Sequence, residues 1–193
     1  MPKISAPTVV EHRKRKRDAL LAAATELLVS GGVSAVTPAA VGAAVGLSRP
    51  SVYQYFKSAA DILAAITEDS FARSNAQLLA ALEGLSDPLK VMDAYVRETL
   101  RQAAAGAHRP ATALSEAELP DECRARVAEL HHEQIAPFMS ALRQLNVPDL
   151  MITAQLLGGM LEAAMRAIES GSDPDAVART TIALVHAAVR PQE

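Results

Sequence analysis

The sequence predicts an all-α chain: a three-helix N-terminal head joined by a long helix to a C-terminal helical bundle, about nine helices in total. Three observations lead there. Half of the 193 residues are hydrophobic, yet tryptophan is absent and Tyr and Phe number three each, so the core must be built from Ala, Leu, Val, Ile and Met. Apolar residues recur three and four apart, the spacing of one helix face, with little of the strict alternation that marks strands. Glycine and proline fall where helices stop and start, as at Gly31-Gly32, Gly46, Asp87-Pro88, Gly106 and Asp173-Pro174.

Length and composition allow one domain or two closely packed ones with a sizeable core. The single cysteine, Cys123, rules out an internal disulfide framework. No run approaches the roughly 18 apolar residues of a membrane span, and no apolar signal core follows the N-terminal basic cluster. A soluble, cytoplasmic protein without membrane association is expected. The net charge of −3 conceals an asymmetry: residues 1–57 hold eight Lys/Arg against three acids, leaving 11 against 19 in the remainder. A basic head on an acidic body is the footprint of a chain whose N-terminal part meets a polyanion.

Residues 1–12, with Pro2 and Pro7 and no periodicity, are expected to form a flexible arm. Arg13, Lys14, Arg15, Lys16 and Arg17 follow at the entrance to a first helix over about 13–30, whose stripe is Leu20, Ala24, Leu27 and Leu28. Such a charge run is either a solvated tail or an arm that tracks phosphates. Gly31-Gly32 stops the helix.

The stretch TPAAVGAAVGLSRPSVYQYF, residues 37–56, reads as two short helices joined by a tight turn. Thr37 can cap the first, with Pro38 at the first helical position, where its missing N–H costs nothing. Val41 and Val45 share a face, Gly46 suits a left-handed helix end, and Leu47 plugs the turn. Ser48 can cap a second helix through Val52 and Phe56, leaving Arg49, Ser51, Tyr53, Gln54 and Tyr55 mostly outside. This is the layout of a helix-turn-helix whose second helix enters the major groove. It is equally the layout of a plain packing unit in helical proteins that never touch DNA, and spacing alone does not separate the two. The expected head core is Leu20, Leu27, Val36, Val41, Val45, Leu47, Val52 and Phe56; Gly42 marks either a close helix approach or a tolerated imperfection.

Together, Arg17, Leu20, Ala24, Leu27, Gly32, Thr37, Val41, Val45-Gly46-Leu47-Ser48, Tyr53 and Tyr55-Phe56 resemble the DNA-binding head of the TetR family of bacterial transcriptional regulators, over roughly residues 13–66. The resemblance implies that Ser48, Arg49, Pro50, Ser51, Tyr53 and Gln54 face the groove, and that Thr37, Tyr53 and Tyr55 approach phosphates. Side-chain chemistry agrees: Arg can fork onto guanine, Gln can pair with adenine, and hydroxyls suit phosphate oxygens. The sequence departs from the family after the aromatic pair, where Lys57-Ser58-Ala59-Ala60-Asp61 lacks the lysine expected at position 59. Lys57 or the basic run would have to replace that contact. The corresponding division is an arm over 1–12, a DNA-binding domain over 13–57, and a ligand-binding and dimerisation domain over 58–193.

Beyond the head, Ser58 is expected to cap a long connecting helix from Ala59 to about Gly84, and Asp87-Pro88 to open a fifth helix ending near Gly106. A short helix over about 111–118 follows, then one from Asp121 in which Pro137 should kink or interrupt the chain near His132–Ala136. Pro148 and Asp173-Pro174 start the last two helices. The final helix is apolar around most of its circumference, so it is either central in its own subunit or covered by a second copy. In the TetR family the last two helices pair into a dimer, which implies Leu156, Met160, Ile182, Val185 and Val189 as interface residues. Met92, Tyr95, Leu100, Arg101, Phe138 and Met139 are effector-pocket candidates by position and chemistry.

No catalytic constellation emerges. His131-His132-Glu133 lacks the spacing of a zinc helix and reads as structural or solvated, and Cys123 beside Arg124 reads as a bystander thiol. A non-enzymatic chain without metal or cofactor is expected, whose partners are a palindromic double-stranded DNA operator, an apolar or aromatic small-molecule effector, and a second copy of itself. An effector-independent architectural protein, or a helical enzyme or metal-binding bundle, are the other classes these features allow.

Overall fold

The computed structural model describes residues 6–115 and 121–189. They are all helical, without strands: α1 Ala6–Gly31, α2 Pro38–Ala44, α3 Arg49–Val52, α4 Ala59–Leu82, α5 Pro88–Ala104, α6 Arg109–Ser115, α7 Asp121–Gln144, α8 Leu150–Glu169 and α9 Pro174–Val189, with one 3₁₀ turn at Val33–Ala35. The first five residues of the expected arm, the 116–118 end of the expected short helix, Leu119-Pro120 and the side chain of Cys123 lie outside the described residues.

One expectation about backbone is corrected, and of the kink or interruption expected at Pro137 the interruption does not occur. Residues 6–12 are not an extended arm but the first turns of α1, because Pro7 falls in the first turn, where no hydrogen bond is lost. Pro137 does not interrupt α7, which runs unbroken from Asp121 to Gln144. A proline removes only its own bond to the carbonyl four residues back, here that of Glu133, and Glu133 and Ala136 are exposed, so water can take its place.

Packing divides the chain into two units, one of residues up to Ser70 with Arg109–Ala128, the other of Phe71–His108 with the residues from Glu129 on. The expected division at residue 57/58 is therefore not the one the packing follows. The head core of Leu20, Val36, Val41, Val52 and Phe56 is completed by Ile62, Leu63 and Ile66 of α4 and Leu114 of α6. Those residues belong with the head because α2 and α3 are too short to cover the apolar face of α1 alone. Leu27, Val45 and Leu47 pack at its margin, half-buried.

In the second unit α5, α8 and α9 pack on one another, around Met92, Tyr95, Val96, Leu100, Leu142, Leu157, Ile182 and Val185. Asp87 caps α5, accepting from the N–H groups of Leu89 and Lys90. This core contains a buried polar network. Ser74 Oγ donates to Gln102 Oε1 (2.5 Å), Gln102 Nε2 donates to Glu98 Oε1 (2.8 Å) and to the Ser74 carbonyl (3.1 Å), and Gln134 Nε2 donates to Ser74 Oγ (2.7 Å). Arg101 closes it from outside with two bonds of 2.7 Å to the Glu98 carboxylate. Every member has partners, the condition under which buried polar groups are tolerated.

Both cores make testable demands on single residues. A Cβ at Gly42 would lie 2.7 Å from the Leu47 carbonyl oxygen and 2.9 Å from Val52 Cγ2, so Gly42→Ala should destabilise the protein by about 1–3 kcal/mol in urea unfolding, although Ala is the better helix former. The Arg101 bonds hold the Glu98 carboxyl below the ordinary glutamate range, so its contribution to stability is present above that range and lost as pH falls through the depressed value. Arg101→Gln should move the onset of acid unfolding, followed by circular dichroism, to higher pH; an unchanged onset would refute the link.

Candidate nucleic-acid interface and ligand cavity

The helix-turn-helix is held by local bonds. Thr37 Oγ1 accepts from the Ala40 N–H (3.1 Å), with Pro38 at the first position of α2. At its other end Gly46 is left-handed (φ 70°), and the N–H groups of Gly46 and Leu47 donate back to the carbonyls of Ala43 and Gly42. This is a Schellman closure, and the left-handed residue favours glycine because any other side chain would be strained. Gly42 lies under the turn, so the alternative left open by the sequence is resolved as a close approach.

Ser48 precedes α3 as expected, but its side chain makes no cap; Ser48 Oγ pairs with Ser51 Oγ at 2.9 Å. The regular helix is also shorter than expected. It spans Arg49–Val52, after which the N–H groups of Gln54 and Tyr55 close tighter turns onto Ser51 and Val52. Phe56 is buried in the head core, and its N–H closes one last turn onto the Val52 carbonyl at 3.1 Å.

The outer surface of this segment is cationic and aromatic. Arg49 Nη2 donates to Tyr53 Oη (3.1 Å), with the guanidinium 5.7 Å from the Tyr53 ring centre. From α1, Arg13 Nη2 donates to the Gln54 carbonyl (3.2 Å) and lies 6.0 Å from the Tyr55 ring, and Arg17 lies 5.2 Å from the Phe56 ring. The structure thus brings Arg13, Arg17, Arg49, Tyr53, Gln54 and Tyr55 onto one surface. Spacing explains why: Arg13 and Arg17 are one helical turn apart and share a face. Lys14 and Arg15 are exposed and Lys16 half-exposed, on other faces of α1. Pro50 is exposed and Ser51 half-buried. At the junction with α4, Ser58 Oγ accepts from the Asp61 N–H (3.0 Å) and Asp61 Oδ2 accepts from the Lys57 N–H (2.7 Å), leaving the exposed Lys57 ammonium outside the cap. Ala59 is half-buried.

The second unit contains a cavity of about 600 Å³, open to solvent on one side, lined by α5, α7 and α8. Of the six pocket candidates, Tyr95, Phe138 and Met139 line it. Met92 and Leu100 are instead fully buried in the core, and Arg101 is engaged by Glu98 at the surface. A buried α5 presents only one face to a cavity, and Tyr95 is its contribution. Leu157 and Leu161 add aliphatic wall, and Tyr95 and Phe138 stack obliquely with ring centres 5.1 Å apart. Burial pushes the Tyr95 phenol up to about 12, so it remains protonated. Sequence reasoning missed the polar lining of Arg143, Gln155 and Glu162, and set aside His131 and His132, which also line the cavity and are exposed. Gly158-Gly159 was the available signal, since nothing lies within 4 Å of a Cβ built at either. Among the described residues no cluster of three or more His, Cys, Asp or Glu could hold a metal, and no helix is long and apolar enough to cross a membrane.

The expected interface residues divide. Ile182, Val185 and Val189 are buried within the single chain, on the face of α9 that closes its own bundle, and this corrects their assignment to a surface. Met160 is half-buried, and Leu156 is 69 % exposed. The large apolar residues left exposed on these helices are Met151, Ile152, Leu156 and Leu184, and Leu184 borders a shallow groove shared with Met160, Val177 and Thr181.

Residues 20–66 match the family model described as bacterial regulatory proteins, tetR family. No curated protein matches the chain by sequence. Among solved structures, MexZ, a repressor of Pseudomonas aeruginosa, shares 18 % identity at a TM-score of 0.77, covering 92 % of this chain and 96 % of its own. The superantigen PfiT shares 24 % at a TM-score of 0.76, covering 88 % and 95 %. AibR, solved with isovaleryl coenzyme A and operator DNA, shares 16 % at a TM-score of 0.74, covering 88 % and 97 %. At such identities these likenesses establish the fold. Residues 20–66 are therefore similar to the tetR family of bacterial regulatory proteins, and the chain has a fold similar to that of solved TetR-family transcriptional regulators.

Proposed function

We propose that the protein is a homodimeric repressor that binds a palindromic operator and leaves it when a small molecule occupies the cavity of its second unit. The observation that carries the DNA reading is the hydrogen bond from Arg13 to the Gln54 carbonyl. It joins the basic run to the recognition segment, so that phosphate-binding charge and base-reading side chains move as one surface. In this reading Arg49 and Gln54 meet base edges. Ser48, Pro50 and Ser51 lie along the groove, and Thr37, Tyr53, Tyr55, Lys57 and the run from Arg13 to Arg17 meet phosphates. Lys57 is exposed, whereas Ala59 has no polar side-chain atom to offer, so Lys57 takes the contact that position 59 lacks.

The cavity supports an effector, and AibR, with both an acyl-coenzyme A and operator DNA in its crystals, offers a precedent on a similar fold. Release is a population shift: a ligand that prefers one conformation of the body weakens DNA, and DNA weakens the ligand by the same factor. Both α4 and α7 contribute residues to each of the two units, which gives the shift a covalent route. Dimerisation uses the outward residues of α8 and α9, with Ile152, Leu156 and Leu184 at its centre, because two heads are needed to read two half-sites one DNA turn apart.

Fluorescence anisotropy against the DNA flanking its own coding region tests the first claim. Arg49→Ala with Tyr53→Ala should abolish specific binding, and retention would sink the readout. Neutralising Arg13 to Arg17 should reduce the slope of log K on log salt by about 0.9 for each phosphate no longer neutralised; an unchanged slope would remove the run from the interface. Leu156→Glu with Leu184→Glu should give a helical monomer in sedimentation velocity, with operator affinity at least tenfold weaker. A dimer persisting in that variant would place the interface elsewhere.

A further inference from the structure

We infer that the ligand of the cavity is an elongated apolar carboxylic acid, its carboxylate received by Arg143 and its chain lying along α7 past Phe138 and Met139. This deepens the reading of the cavity as an effector site and rests on it for its biological meaning, though not for its chemistry. The shape of the cavity comes from the two helices that line it over corresponding lengths. On α7 the lining runs from His131 to Arg143, and on α8 from Met151 to Glu162. At 1.5 Å per residue, each stretch spans roughly 16–18 Å. Only Leu145 to Asp149 separate these helices in the chain. Arg143 and Met151 are therefore at one end, and His131, His132 and Glu162 at the other.

The two ends differ in charge. Glu162 already has a cationic neighbour, Arg166 Nη1 at 3.8 Å. Arg143 makes no hydrogen bond or ion pair among the described residues, and the Gln155 amide, one turn on from Met151, lines the same part of the wall. An unengaged guanidinium beside an amide is a carboxylate receptor, since the guanidinium fork matches two carboxylate oxygens. Between the ends the wall is aromatic and aliphatic, and Gly158 and Gly159 widen it where any Cβ would project into open space. Two adjacent glycines inside a helix sacrifice helix stability, which is consistent with room being needed there.

Tyr95 supplies a second polar handle. The residue is 5 % exposed, yet its hydroxyl makes no hydrogen bond among the described residues and is not sealed off by its neighbours. Tyr95 is part of the cavity wall, which places its phenol within reach of a ligand there. An oxygen on the ligand chain, or a water carried with it, would pair with this hydroxyl. Its raised pKa keeps it a donor. A cationic ligand would find aromatic rings here but would have to lie beside Arg143.

The test is isothermal titration of the full chain, without DNA, with three probes of equal length: dodecanoate, dodecanol and dodecyltrimethylammonium, all below their critical micelle concentrations. The carboxylate should bind at least tenfold more tightly than the alcohol and the cation. Arg143→Gln, a change at an exposed position, should erase the advantage over the alcohol while leaving alcohol binding intact, and Gly158→Leu should weaken the acid by filling the wall. Equal binding of acid and alcohol, preference for the cation, an unchanged ratio in Arg143→Gln, or no binding of any probe would each overturn the inference. Anisotropy on operator DNA, run separately, keeps the two readings apart: acid binding that leaves DNA affinity unchanged would refute effector release but not the carboxylate site.

Discussion

The close approach of Gly42 to the Leu47 carbonyl sets the geometry on which the head depends. With only a hydrogen at Gly42, α2 comes close enough to the following turn for the Leu47 N–H to reach the Gly42 carbonyl at 2.8 Å. That bond, with the left-handed Gly46, fixes the angle at which α3 leaves the turn. Val52 and Phe56 then fall into the core, and Arg49, Tyr53 and Gln54 are left outside. The basic face of α1 is applied to a surface already formed. Arg13 bonds to a backbone carbonyl, and Arg17 lies over an aromatic ring anchored from below.

The small size of α2 and α3 explains why packing assigns the beginning of α4 and the segment around α6 to the head. Short helices expose a large fraction of their surface, and a core must be closed from several sides before it is dry. Ile62, Leu63 and Ile66 close one side and Leu114 another. In the second unit the core of Met92, Val96, Leu100 and Leu142 is filled, and beside it Tyr95, Phe138 and Leu157 form the wall of a cavity of about 600 Å³. The network from Arg101 through Glu98 and Gln102 to Ser74 and Gln134 ties α5, α4 and α7 together beside it. Being directional, such bonds specify one arrangement where apolar packing would accept several.

Charge is distributed to match. Arginines that lie over aromatic rings in the head are held in place without being neutralised. The acids of the body are either engaged, as Glu98 is by Arg101, or solvated. His186 and Asp93, 2.6 Å apart, link α9 to α5 at a half-exposed position.

The sequence by itself determined the helices, their order and the recognition turn, because these rest on local rules. Thr37 and Asp87 cap, Gly46 turns and Pro38, Pro88 and Pro174 start helices using bonds made within a few residues. It also determined which residues would face away from the head core, since periodicity reports a face. Tertiary structure decided what covers each face. Ile182, Val185 and Val189 were equally apolar candidates for an inner or an outer surface, and only packing of α9 on α5 and α8 placed them inside, leaving Leu156 and Leu184 exposed. It placed Met92 and Leu100 in the core but Tyr95 at the cavity, and brought Arg143 and Gln155 to one end of it. Residues on separate helices meet at angles and depths that no single helical period encodes, so a cavity emerges only when several helices fail to fill the space between them.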